Sequence, residues 1–306
     1  MSKSNILYFQ QRYHRGIRNK YRKGMPVFEM LTKDIGHLFL SLRHCIANGF
    51  RNRRIFVYPH YPSRGSTIYK IAKILHYNIS NRRPEKAGLC VYWEYLTLRK
   101  EYHLPGQLSA DMPVVNLQSR DISKNHVDEI FFDVFAYGTF IDPLEYEGFC
   151  VRKSDQNATH DGLVLHCPIK SPEEGYIYQR LIDNSIGEDA VEDIRVPVVR
   201  GCLDFVYLKR RYKSERFLNT TYNTEVKNIN DVLSGEEVSK LNAFCLESGL
   251  DFGELDVLRD NEDGRIYVVD VNNTPQGPPA NTARKEAKLA LQKIAKAFAE
   301  RFINQE

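Results

Sequence analysis

The 306-residue sequence predicts an α/β protein assembled from α+β lobes. Three observations carry that expectation. The run RIFVYP at 54–59, the helical pattern STIYKIAKILHYN and the apolar GLCVYWEYL at 88–96 read as strand, helix and strand. Short strand-like runs then follow one another from EGFCVRKS to DFVYLKRR. Finally, Phe252 to Arg259 and Arg265 to Asn272 alternate as a hairpin around a turn carrying Asp263-Gly264.

The remaining elements follow from periodicity. Residues 28–50 place Phe28, Leu31, Ile35, Leu38, Leu42 and Ile46 on one stripe of a helix. PVVN at 113–116 is a short buried strand running into a helix from Ser123. Three strands are expected in EGFCVRKS, DGLVLHCPI and YIYQRLI, and two more in IRVPVV and DFVYLKRR. A helix spans Ser234 to Ser248, opened by a capping box of Ser234 with Glu237. The chain closes on a helix from about Asn281, with Ala287, Leu291, Ile294, Phe298 and Phe302 on one face.

Composition excludes disorder and fibrous structure, with 42% hydrophobic and 27% charged residues. The six cysteines stand singly, at 45, 90, 150, 167, 202 and 245, without zinc-ligand spacing, and read as reduced thiols, Cys167 and Cys202 as packing residues. No run nears the roughly 18 apolar residues a membrane span needs, and no hydrophobic signal core opens the chain. A cytoplasmic protein is expected, in peripheral contact with a membrane if its basic arm engages one. Net charge is only +4, but Lys3, Arg12, Arg15, Arg18, Lys20, Arg22 and Lys23 crowd residues 1–24 with no acid among them. Such an arm suits an anionic surface, whether lipid, acidic glycan or nucleic acid, or is a solvated extension.

The hairpin carries the clearest chemistry. Magnesium takes hard oxygen ligands, and Asp270 and Asn272 share a strand face by the period of two. An even turn sends Asp256 to the opposite face. A three-residue loop, Glu262-Asp263-Gly264 with Gly264 left-handed, pairs Asn261 with Arg265 and sets Asp256 opposite Asp270. Leu255, Val257, Tyr267, Val269 and Val271 then form the apolar face. Carboxylates so juxtaposed repel without a cation; the alternative is a solvated face with scattered acids.

The stretch GLDFGELDVLRDNEDGRIYVVDVNNTPQG at 249–277 resembles the closing motif of the ATP-grasp superfamily, specifically the RimK-type glutamate ligases. The resemblance extends over about 88–280 and implies an ATP-grasp fold behind a pre-ATP-grasp lobe. Lobes are expected at 55–120 (N-terminal), 121–185 (central) and 186–306 (C-terminal), after an arm and helical extension at 1–54. Asp256, Asp270 and Asn272 would hold two magnesium ions, with manganese as an alternative; Asp270 stands where glutamate is commoner.

Upstream, EDIRVPVVRG, FVYLKRR and RFLN are similar to the family's DIR strand, basic strand and Arg/Asn segment. Cations aimed at a transferring phosphoryl group are the expected catalytic devices, which assigns Arg195, Lys209, Arg211 and Arg216; Arg210 falls on the other face of its strand. YIYQRLID resembles the hinge strand, so Gln179 and the backbone of Arg180 and Ile182 would reach the adenine of ATP and Asp183 the ribose. Arg180 stands where the pattern has glutamate. Lys153 in CVRKS and Lys124 before the central helix would meet the α- and β-phosphates. The loop between, SDQNATHDG, has only Gly162 where related loops are glycine-rich, leaving His160 or Asn157 as side-chain donors.

The implied reaction is carboxylate activation as an acyl phosphate and capture by an amine, on a small-molecule, amino-acid, peptide or glycan substrate. A phosphotransferase and a non-catalytic nucleotide sensor are the competing readings.

Overall fold

The structure is a computed structural model describing residues 24–155, 159, 161–218 and 220–304. The basic arm through Lys23, Asn157 and His160 lie outside the described residues.

Helix α1 (Val27–Ala47) forms as its periodicity requires, but its apolar stripe faces outward. Phe28, Leu38 and Phe39 are 77%, 70% and 68% exposed, while the polar side turns in, with His44 buried against Asn78. Strands β1 (Arg54–Pro59), β2 (Asn78–Ser80), β3 (Leu89–Trp93) and β4 (Val114–Val115) make a parallel sheet in the order β2-β1-β3-β4. β3 is buried along its whole length, which is why it reads as an unbroken apolar run. Helices α2 (Thr67–Ile74) and α3 (His103–Leu108) follow β1 and β3, and α2 contributes Ile68, Ile71 and Ala72 to the core.

Helix α4 (Lys124–Phe135) starts at Ser123, whose hydroxyl accepts from the His126 N–H at 3.3 Å, and ends at Ala136 in the left-handed region. A small antiparallel sheet follows, β5 (Gly148–Ser154), β6 (Leu163–Cys167) and β7 (Tyr176–Arg180), in the order β6-β5-β7. Its centre holds Cys150, Cys167 and Tyr178.

The large sheet is antiparallel, comprising β8 (Ser185–Ile186), β9 (Ala190–Val199), β10 (Phe205–Tyr212), β11 (Asn223–Asn228), β12 (Phe252–Arg259) and β13 (Ile266–Asn272). Its order is β11-β10-β9-β12-β13, with β8 beside β9. Helix α5 (Gly235–Glu247) has the expected capping box, Ser234 accepting from Glu237 N at 3.2 Å while Glu237 accepts from Ser234 N at 2.7 Å. It packs with α4 on one sheet face, where Phe131 and Phe244 meet Val196, Leu208 and Val257. α4 therefore contributes Val127, Ile130, Phe131 and Phe135 to the core beneath the large sheet. On the opposite face, Val199, Phe205 and Phe252 lie under the N-terminal lobe and the closing helix α6 (Arg284–Phe298), through Ile294 and Phe298. Beyond that apolar end the face is polar.

The hairpin register corrects the loop assignment. Asp260 N donates to Arg265 O and Gly264 N to Asp260 O, both at 2.9 Å, so the loop is the even Asn261–Gly264, with Gly264 left-handed as expected. Parity is restored by a β-bulge: Val257 pairs with Val268 but Asp256 with Asp270, leaving Val269 as the extra residue. Val268 therefore joins Val257 in the core on the apolar face, and Val269 packs half-buried against the same core.

Close packing of backbone to backbone fixes this region. A Cβ on Gly253 would lie 2.5 Å from the Asn272 carbonyl oxygen and 2.8 Å from a Leu250 methyl. Gly253→Ala is expected to destabilise the fold by about 1–3 kcal/mol through overpacking, read as a lowered denaturation midpoint. An unchanged midpoint would mean that β13 moves aside freely.

Candidate active site

Cross-strand pairing sets the polar end of the large sheet. Lys209 pairs with Asp193, Tyr207 with Arg195, Arg195 with Asp256, Asp256 with Asp270, and Glu254 with Asn272. Residues directly opposite across strands share a face, so four adjacent strands present these side chains together. Arg195 donates to both carboxylate oxygens of Asp256, at 2.7 and 2.8 Å, and lies 3.3 Å from Glu254. Burial disfavours charge on Asp256, but Arg195 and Lys209 outweigh it and hold the carboxyl well below the usual range. Arg211 pairs with Asp193 and donates to the carbonyls of Arg216 and Leu218 at 3.2 and 2.8 Å. Arg210, on the other face, pairs with Glu192 and Glu225.

Asp270 differs from its neighbour. Burial, reinforced by the charge of Asp256, pushes its carboxyl up to about 6, with Lys124, Lys153 and Arg195 pulling the other way. Two carboxylates with a nearby carboxamide, Asn272, give a hard-oxygen set of the kind magnesium takes. Asn272 Oδ1 accepts one bond, from Thr274 N at 3.0 Å. Among the described residues no cluster of three or more His, Cys, Asp or Glu side chains is arranged for a metal ion; two acids and an amide compose this set.

Two lysines on other elements act on Asp270 through their charge. Lys124, the first residue of α4, is buried, and burial lowers its pKa against the attraction of Asp270, Asp155 and Asp161. Lys153 on β5 is pushed down to about 8 by burial and the charge of Lys124, opposed by Asp270. Lys209 is likewise buried and lowered, with Asp256 and Asp193 opposing. Asp155, just after β5, accepts from Asn125 N in the first turn of α4 at 3.0 Å.

The hinge candidates divide. Gln179 is buried and donates to the Thr139 hydroxyl, which in turn donates to Asp128 at 2.6 Å. The Arg180 N–H donates to Thr139 O at 2.8 Å, while its guanidinium reaches Asp260 at 2.7 Å, Tyr267 at 2.9 Å and Asp263 at 3.3 Å. That side chain ties β7 to the hairpin tip. Ile182 O accepts from Arg216 Nη2 at 3.0 Å, and Arg216 also donates to Asn184 Oδ1 at 3.0 Å, so Arg216 braces the segment after β7. Asp183 accepts from Ser185 N at 3.2 Å and from its hydroxyl, which lowers the Asp183 pKa.

Sequence reasoning missed Glu254 and Asp193. Both were within reach of the period-two rule, lying two residues before Asp256 and Arg195 on the same strands. A cavity of about 410 Å³ lies elsewhere, between α1 and the N-terminal lobe, and none of these residues lines it.

The fold is that of solved ATP-grasp ligases. The ATP-grasp ligase PsnB, complexed with a minimal precursor, superposes with a TM-score of 0.53 at 13% identity, covering 82% of this chain and 99% of that one. D-alanine–D-alanine ligase from Bacillus anthracis gives 0.50 at 15% identity, covering 82% and 97%. PsnB bound to a phosphomimetic precursor variant, Mg and ADP also gives 0.50, at 11% identity, covering 82% and 99%. No protein-family model matches the sequence, and no curated protein sequence does.

Proposed function

We propose that the chain is an ATP- and magnesium-dependent ligase that activates a carboxylate as an acyl phosphate for capture by an amine. One observation carries this reading: Asp256, Asp270, Asn272 and Lys209 share the polar end of one sheet face, and the charges of Lys124 and Lys153 act on Asp270 from other elements. Asp256, Asp270 and Asn272 would hold the metal, which when bound screens phosphate charge and orients the phosphoryl group. Lys124 and Lys153 bind the α- and β-phosphates. Lys209, Arg195 and Arg211 surround the transferred group with fixed positive charge, and Arg195 also keeps Asp256 ionised. The hinge receives adenine through the backbone of Arg180 and Ile182, with Gln179 behind it and Asp183 beside the ribose; Arg216 holds that loop in place. The small sheet covers the site and excludes water that would hydrolyse the acyl phosphate.

Amino acids, uronic acids and peptides are the substrate classes to try, with glycan or peptide modification as the wider role. ADP release should appear with one carboxylate–amine pair, and mass spectrometry should find the amide. A phosphorylated alcohol in its place would make the protein a phosphotransferase. No helix among the described residues is long and apolar enough to cross a membrane.

Lys153 supplies a pH test. Its folded-state pKa, near 8, lies below the ordinary lysine value, so the unfolded chain binds more protons between about 8 and 10.4 and stability rises with pH there. Phosphate binding needs the charged form and should move the opposite way. ATP affinity is expected to fall as pH rises through 8, and Lys153→Ala should weaken ATP binding about tenfold or more and flatten that fall. Calorimetric titration decides; unchanged affinity with a collapsed melting temperature would make Lys153 structural.

A further inference from the structure

We infer that α1 is an interfacial helix that lays its outward face on an anionic lipid bilayer. In a soluble helix the apolar stripe faces the core; here the orientation is reversed. Leu31, Ile35, Leu38, Phe39, Leu42 and Ile46 all lie exposed on one side, and Phe50, just past the helix end, is 80% exposed. Contiguous exposed patches of large apolar side chains mark interaction surfaces. The inner side is polar and engaged: His44 with Asn78 at 3.2 Å, and Asn48 with the His76 carbonyl at 2.8 Å.

Charge selects the occupant. Arg43 on α1 and Arg51 and Arg53 after it are exposed, and the sequence before the helix brings seven cations and no acid through residue 24. The two acids of the helix, Glu29 and Asp34, are half-buried, and Glu29 lies 3.4 Å from Lys33. A second copy meeting the first through α1 would bring two such sets of like charges together with no acid on the apolar face to match them. An anionic bilayer surface satisfies both halves, since acyl chains take the apolar face and headgroups attract the flanking cations. The helix lies in the interface and does not cross it, consistent with its lack of a spanning apolar stretch.

Co-sedimentation of the full-length protein with phosphatidylcholine vesicles containing 30 mol% phosphatidylglycerol tests this, against vesicles of phosphatidylcholine alone. The expected result is salt-sensitive binding to the anionic vesicles. The double variant Leu38→Ser/Phe39→Ser should reduce the bound fraction at least fivefold with an unchanged melting temperature, because both side chains face solvent. Light scattering after size exclusion should show a monomer. Equal sedimentation of parent and variant overturns the proposal, and so does a dimer that the same variant splits, which would assign the face to a second copy.

Discussion

Asp270→Asn is expected to abolish most magnesium-dependent ATP turnover, by about a hundredfold or more, while the protein stays folded. The substitution preserves volume, so packing is hardly disturbed, but it removes one of two facing carboxylates and the charge that meets Lys124 and Lys153. Removing even an outer-shell partner of a metal ligand costs about 10–100-fold, and a ligand should cost at least as much. Stability at neutral pH should not fall, and relief of repulsion with Asp256 should raise it slightly. Steady-state ADP production at saturating magnesium, with a parallel melting curve, makes the check. Turnover within twofold of the parent would remove Asp270 from the proposed metal site.

Arg195→Met should have the largest effect on stability. Its guanidinium joins Asp256 and Glu254, both on β12, and its loss leaves two partly or fully buried carboxylates without their main counter-charge. Breaking a buried ion pair from one side typically costs about 3–5 kcal/mol. Chemical denaturation should show a loss of that order, and because Glu254 is already raised by burial, it should take up a proton at higher pH than in the parent. The deficit should therefore shrink on mild acidification, as neutral carboxyls no longer need the arginine. A deficit that grows with acid would sink this account.

The sequence was most legible where one physical rule decided the outcome. Period-two alternation put Asp270 and Asn272 on one face, and the Ser234–Glu237 box announced its helix. The bulge at Val269 was not readable, because an extra residue in a strand leaves no local signal of its own; the facing of Asp256 and Asp270 was anticipated, but through the wrong loop. Strand β2 is three residues long and β8 two, too short for periodicity to register. The stripe on α1 was visible in the sequence, yet periodicity alone says only which residues share a side, not whether that side meets a core. For Arg180, the pattern spoke only to its backbone; its side chain answers to Asp260 and Asp263, about 80 positions downstream, which no local window includes.

That clasp has a mechanical consequence. The small sheet is held at one margin, where Arg180 at the end of β7 grips the hairpin tip, while β6 forms its opposite margin. A plate fastened along one side swings like a door. The clasp is the jamb, so any swing of the small sheet carries β6 along the longest arc while the β7 margin stays nearly still.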